Sequence, residues 1–166
     1  MESKPTAQTV RSRPSGALRI AFRLPIHLYR LDLGWLMGHR VLLLTHVGRK
    51  SGRVRRTPLE VIRHDPTSGE SVVVSAWGEK SDWYRNITSS PATEIQTGWE
   101  RYVPEQRFLS PREVYGEIAG YERRHPLLAR TLPRWLGYPL DGTEGARRRF
   151  ADSLRMVAFR PKGGAE

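Results

Sequence analysis

The chain has 166 residues, about one ordinary domain, long enough to bury roughly 68–70% of the surface its unfolded form exposes. It has no cysteine, which excludes disulfides, thiolate metal sites and thiol nucleophiles, so any catalysis rests on other groups or on a bound cofactor. The formal charge is +11, with 12 Lys or Arg against three acids in residues 1–60; such a field suits nucleic acid, anionic lipid or a polyanionic small molecule. No signal-like apolar run follows the N-terminal cations, and no stretch reaches the roughly 18 apolar residues of a membrane span, so the expected location is cytoplasmic.

In chain order, residues 1–16 carry Pro5, Pro14 and Gly16 among small polar residues and are expected to form a flexible tail. From Ala17 to Gly38, Leu18, Phe22, Ile26, Tyr29 and Leu33 recur at helical spacing around Pro25, predicting one or two short amphipathic helices. Val41–Leu44 runs as a strand into Thr45, His46 and Val47 and stops at a tight Gly48–Gly52 loop. Pro58–His64 and the Val-rich Ser71–Ala76 flank Asp65-Pro66-Thr67-Ser68-Gly69, which reads as a hairpin turn. Ser81 opens a short helix that ends by Pro91, and two strands are expected at Ala92–Thr97 and Glu100–Leu109. Ser110-Pro111-Arg112-Glu113 is a capping signal for a helix over Pro111–Arg124. His125–Gly137 and Thr143–Leu154 follow as helices, Arg155–Arg160 as a closing strand, and residues 162–166 as a tail. There is no internal repeat. Five or six strands in short-loop order with inserted helices predict an α+β fold, a mostly antiparallel split barrel in a single domain over residues 17–161.

The segment from Thr45 to Leu59 places two glycines, a serine and the cations Arg49, Lys50, Arg53, Arg55 and Arg56 between two apolar strands. Glycines let backbone amides turn toward a ligand, the Ser51 hydroxyl adds a donor, and guanidinium groups bind phosphate or carboxylate oxygens in pairs. A merely solvated basic hairpin is an equally good reading of composition alone. The order of residues is not that of a Walker loop.

These residues resemble a known pattern, T-x-x-G-R-K-S-G-x-x-R-x-x-P-L, carried here by Thr45, Gly48, Arg49, Lys50, Ser51, Gly52, Arg55, Pro58 and Leu59. A second block, Ser75-Ala76-Trp77-Gly78 followed by Asp82-Trp83-Tyr84-Arg85-Asn86-Ile87, stands in the matching order downstream. Together they resemble the deazaflavin-dependent nitroreductase family, split-barrel proteins that use coenzyme F420. The resemblance covers residues 41–109, with a looser match near Val157–Pro161. It implies that the phosphate and oligoglutamate tail of F420 sits in the basic loop, held by Lys50 and Arg55 and supported by Arg49 and Ser51, with Arg56 a third cation, Gly48, Gly52 and Thr57 also in the cofactor-binding set, and Pro58 fixing the chain direction after the loop. It also implies that Ser75, Ala76, Trp77 and Gly78 lie along the deazaflavin ring and that Trp83 and Asn86 belong to a helix closing the pocket. Read without the family, Trp83 and Tyr84 are better taken as core packing. Trp77 departs from the nitroreductase-like members, which often carry lysine there, and this leaves substrate preference open.

The resemblance further implies hydride transfer from reduced deazaflavin to an electron-poor small molecule such as a quinone, nitro compound or enone, with no catalytic triad. Tyr121 and Tyr84 are the candidate proton donors, an ordered water the alternative, and His46 reads as a satisfied structural residue. Other readings stay open: an FMN or haem split-barrel protein, a fatty-acid or membrane-surface protein docking through residues 17–38, and a nucleic-acid binder suggested by Arg147-Arg148-Arg149. No helix-turn-helix, zinc or RNP-type pattern supports the last, so no nucleic-acid partner and no metal are expected. Monomer and homodimer are equally compatible with the sequence. The extra length from His125 to Gly145, with Trp135 and Tyr138, reads as a packed helix pair.

Overall fold

A computed structural model describes residues 38–125 and 143–163. The expected N-terminal tail, the helices predicted before Gly38 and after His125, the pair Trp135 and Tyr138, and residues 164–166 lie outside the described residues. Among the described residues there are seven strands: β1 (Val41–Val47), β2 (Val54–His64), β3 (Ser71–Ser75), β4 (Glu94–Thr97), β5 (Glu100–Tyr102), β6 (Pro104–Phe108) and β7 (Arg155–Pro161). Three α-helices among the described residues join them, α1 (Asp82–Ser89), α2 (Pro111–Arg124) and α3 (Glu144–Ser153), with a short 3-10 turn at Gly78–Lys80 before α1.

All the strand pairings are antiparallel, and the sheet order is β5-β4-β1-β2-β3-β7-β6. β5 and β6 occupy opposite edges, yet only Val103 separates them along the chain. The two edges therefore meet, and the sheet curls into a nearly closed barrel split along that seam. The fold is the α+β split barrel that the sequence predicts.

Alternation along each strand decides what fills it. Leu42, Leu44, Leu59, Val73, Ile95, Val157 and Phe159 form one cluster with Trp83 and Ile87 of α1. A second cluster joins Val72, Met156 and Ala158 of β3 and β7 to Val114 and Ile118 of α2 and Phe150 of α3. Truncating a buried leucine such as Leu44 in so dense a core typically costs about 2–5 kcal/mol.

Three expectations need correction. The strand expected from Pro58 begins at Val54, because the β1–β2 ladder runs in register down to Val47↔Val54, so Arg55, Arg56 and Thr57 are strand residues and only positions 48–53 form the turn. The strand expected over Glu100–Leu109 is two strands. At Val103 the chain changes partner, from Tyr102↔Ile95 on β4 to Pro104↔Pro161 on β7, and the Val103 carbonyl accepts a bond from the Lys162 amide at 3.0 Å. The strand expected from Ala92 starts at Glu94. The hairpin turn after β2 and the extents of α2, α3 and β7 follow the sequence closely, with Asp65 accepting bonds from the Thr67 amide and the Ser68 hydroxyl.

Candidate anion-binding site

The turn between β1 and β2 is built on its glycines. The Gly48 amide donates to the Arg53 carbonyl at 2.8 Å, and the Gly48 carbonyl accepts from the amides of Ser51 (3.1 Å) and Gly52 (2.8 Å). Gly52 has φ of 64°, a left-handed conformation that favours glycine. A Cβ on Gly48 would sit 2.8 Å from Ser51 Oγ and 2.9 Å from Arg55 Nε, so the missing side chain is what lets both groups close over the turn.

Beside the turn lies a cleft of about 210 Å³ lined by Gly48, Arg49, Lys50, Ser51, Arg55, Asp82 and Asn86. All but Asp82 are cofactor-site residues expected from the sequence. Asp82 enters as the first residue of α1, with its carboxylate 3.1 Å from the Arg49 guanidinium. Arg49 is bound further to Asn86: its amide (3.1 Å) and guanidinium (3.0 Å) both donate to Asn86 Oδ1. It ties the turn to the helix. Lys50 and Arg55 have no carboxylate partner among the described residues, whereas Arg49, Arg63, Arg101, Arg107, Arg147, Arg148, Arg155 and Arg160 all do. A hydroxyl, an ammonium and a guanidinium over a glycine hollow form a donor set for phosphate or carboxylate oxygens, and they fit the charged tail of F420.

Arg56 follows Arg55 on β2, so its side chain leaves by the opposite face, and it does not line the cleft. Thr57 returns to the inner face, where its Oγ1 lies 3.0 Å from His46 Nε2; Pro58 pairs with Leu43 on the outer face. At the end of β3 the Ser75 hydroxyl is fully buried, donates to the Gly78 carbonyl at 2.7 Å and shares a 2.6 Å bond with Ser81 Oγ. Ser81 is thereby drawn away from capping α1. Gly78 has φ of 54° and a Cβ there would be 2.8 Å from the Ser153 carbonyl oxygen, so no other residue fits without backbone movement. Trp77 is half exposed beside it, and Ala76 is partly buried.

Trp83 packs in the barrel core and makes an edge contact with Tyr84, which in turn meets Phe108 edge-on. Tyr121 sits on α2 against His125. Neither tyrosine lines the cleft. Burial pushes both phenols above their ordinary range; Glu60 adds to the effect at Tyr121, while at Tyr84 Arg155 opposes it and Glu79 adds to it. The sequence also missed the partnership of His46 with Thr57 and Asn86. The signal was present in the alternation Leu42, Leu44, His46, which puts the ring on the core face beside Arg55 and Thr57.

The sequence profile of the F420H(2)-dependent quinone reductase family matches residues 23–130, well over half of the chain. The chain belongs to this family. The match takes in the turn, the end of β3 and α1. Rv3178 of Mycobacterium tuberculosis (strain ATCC 25618 / H37Rv), described as a candidate F420H(2)-dependent quinone reductase, is 40% identical over 74 residues, which are 43% of this chain and 60% of that relative. An F420-H2 dependent reductase (FDR-A) of known structure superposes with a TM-score of 0.47 at 18% identity, covering 74% of this chain and 96% of that one. An FMN-binding protein related to pyridoxamine 5'-phosphate oxidase, from Nostoc punctiforme PCC 73102, gives 0.46 at 16% identity, covering 91% and 82%. Structural likenesses this loose say nothing of activity.

Proposed function

We propose that this chain is an F420-dependent oxidoreductase that reduces a quinone or another electron-poor small molecule. The observation that carries the reading is the turn itself: Lys50 and Arg55, without acidic partners among the described residues, stand with Ser51 over the Gly48 hollow inside the span that matches the family. In this reading Lys50, Arg55 and Ser51 bind phosphate and carboxylate oxygens of the cofactor tail, while Gly48 and Gly52 shape the turn and Arg49 and Asn86 fix it to α1. The reduced deazaflavin supplies the hydride when bound.

Trp77 and Ala76 border the ring, on a strand end made rigid by Ser75 and Gly78, and Trp83 closes the barrel beneath. Arg56 contributes to the long-range field from the far face of β2. Tyr84 and Tyr121 stay candidate proton donors; burial makes each phenol a weaker acid, so an ordered water competes for the role. Peripheral attachment through residues 17–38 and a cytoplasmic location belong to the same proposal. Among the described residues no helix is long and apolar enough to cross a membrane.

The test is an anoxic assay with purified protein, a soluble quinone and either reduced F420 or reduced FMN, following the return of each oxidised chromophore. Turnover with the deazaflavin and none above background with FMN is expected. Turnover with FMN alone, or none with the deazaflavin across quinones, nitro compounds and enones, contradicts the proposal.

A further inference from the structure

We infer that His46 is a positioning residue, whose neutral ring orients Asn86 and through it pins the Gly48–Gly52 turn in its anion-receiving shape. The inference rests on the anion reading of that turn. The hydrogen-bond directions can be followed from one end. Asn86 Oδ1 faces two donors, the Arg49 amide at 3.1 Å and the Arg49 guanidinium at 3.0 Å, so this atom must be the acceptor oxygen. Asn86 Nδ2 then donates to His46 Nδ1, 3.2 Å away, so Nδ1 carries no proton and Nε2–H donates to Thr57 Oγ1 at 3.0 Å. One tautomer satisfies every member.

A proton on Nδ1 would break this order. It would set two donors head to head across the His46–Asn86 contact, and turning the Asn86 amide to relieve them would aim its NH2 group at the Arg49 donors. The first arrangement strains the Asn86–Arg49 bonds and the second removes them, leaving the ion pair with Asp82 as the tie between Arg49 and α1. The surroundings resist that proton: the ring is 1% exposed, and burial first, then the Arg55 guanidinium, lower its pKa from 6.5, against a smaller opposing effect of the Val47 backbone. Among the described residues Arg55 on β2 pairs with it across the strands and is the charge that acts on it, while Arg49 in the turn and Asp82 on α1, which meet its partner Asn86 or its helix, are engaged with each other. On β4, Glu94 pairs with Thr45 on the other face of β1 and lies 3.9 Å from Arg101.

The sign follows. A histidine with lowered pKa leaves the arrangement intact above about 6.5 and loses it as pH falls through the folded value. The experiment measures hydrogen-exchange protection of the Arg49 amide in ligand-free protein, corrected for intrinsic rates, from about pH 8 to about pH 5. Inorganic pyrophosphate titrations run in parallel. Wild type should hold its protection at neutral pH and lose it in acid. His46→Asn, which keeps an acceptor toward Asn86 and cannot titrate, should give a flat profile with affinity retained. His46→Leu should lower protection and pyrophosphate affinity about tenfold at every pH, as expected for one lost buried hydrogen bond.

Asn86→Asp keeps the test decisive should His46→Leu not fold. A carboxylate facing Nδ1 favours the protonated ring, so nitrogen NMR should then show His46 titrating above 6.5 instead of below it. Unchanged Arg49 protection in His46→Leu, or unchanged His46 titration in Asn86→Asp, overturns the inference. Since protection is read without ligand, a chain in which Arg49 follows His46 but pyrophosphate never binds would disprove the anion reading and leave the relay standing.

Discussion

Arg55 and Arg56 are neighbours along the chain and strangers in space. Strand alternation sends Arg55 over Gly48 into the cleft and Arg56 out of the opposite face of β2. A hydrogen bond to a charged group contributes about 1.5–3 kcal/mol, so Arg55→Glu should weaken deazaflavin binding by at least about tenfold. Arg56→Glu acts only through a screened field and should change affinity by less than about threefold. Fluorescence titration of both variants checks this, and equal losses would show that β2 does not present the two cations to different faces. The sequence identifies Gly48, Lys50 and Ser51 as a site because their chemistry is local. The resemblance ranks Arg55 above Arg56, but the residues themselves do not put the two on opposite faces, since that depends on the Val47↔Val54 register, which places both in a strand where a loop was expected.

Elements whose ends are signalled within a few residues fold where the sequence places them. At α2 the Ser110 hydroxyl accepts from the Glu113 amide, and the Glu113 carboxylate accepts from the Ser110 amide at 2.8 Å and hydroxyl at 2.7 Å. Ser110→Ala should cost about 1 kcal/mol, read as a lower thermal midpoint with an unchanged fold. The Ser110 hydroxyl, the Ser110 amide and Arg107 hold the Glu113 carboxyl down to about 2. That lowered value means the carboxylate half of the cap is fully formed above about 4.5 and is lost as pH falls toward about 2, so exchange protection of the Ser110 amide should decline over that window before the barrel strands respond. Ser81 presents a similar local signal and does not cap, because Ser75 claims its hydroxyl across a distance no local pattern reveals. The break at Val103 does carry a local mark, since Pro104 follows it and cannot donate to a ladder, but that proline does not reveal that the chain changes partner there from β4 to β7.

At the scale of the molecule, closure of the barrel brings chemistry to one end. The tip of the β1–β2 hairpin, the start of α1 and the end of β3 converge there through contacts of Arg49 with Asp82 and of Ser75 with Gly78 and Ser81. The +11 charge of the whole chain adds an attractive field for any polyanion, but a field alone has no geometry. What distinguishes a built site is that affinity depends on the tail of the ligand and on a few named cations. The direct measurement is a pair of titrations at low and physiological ionic strength, one with intact F420 and one with the deazaflavin core lacking its phosphate and glutamate tail. Two charge-assisted contacts of about 1.5–3 kcal/mol each predict that the intact cofactor binds at least about a hundredfold more tightly, that this advantage shrinks with salt, and that Lys50→Glu combined with Arg55→Glu removes it. Equal binding of the two ligands, or full affinity in the double variant, would contradict the assignment of the turn.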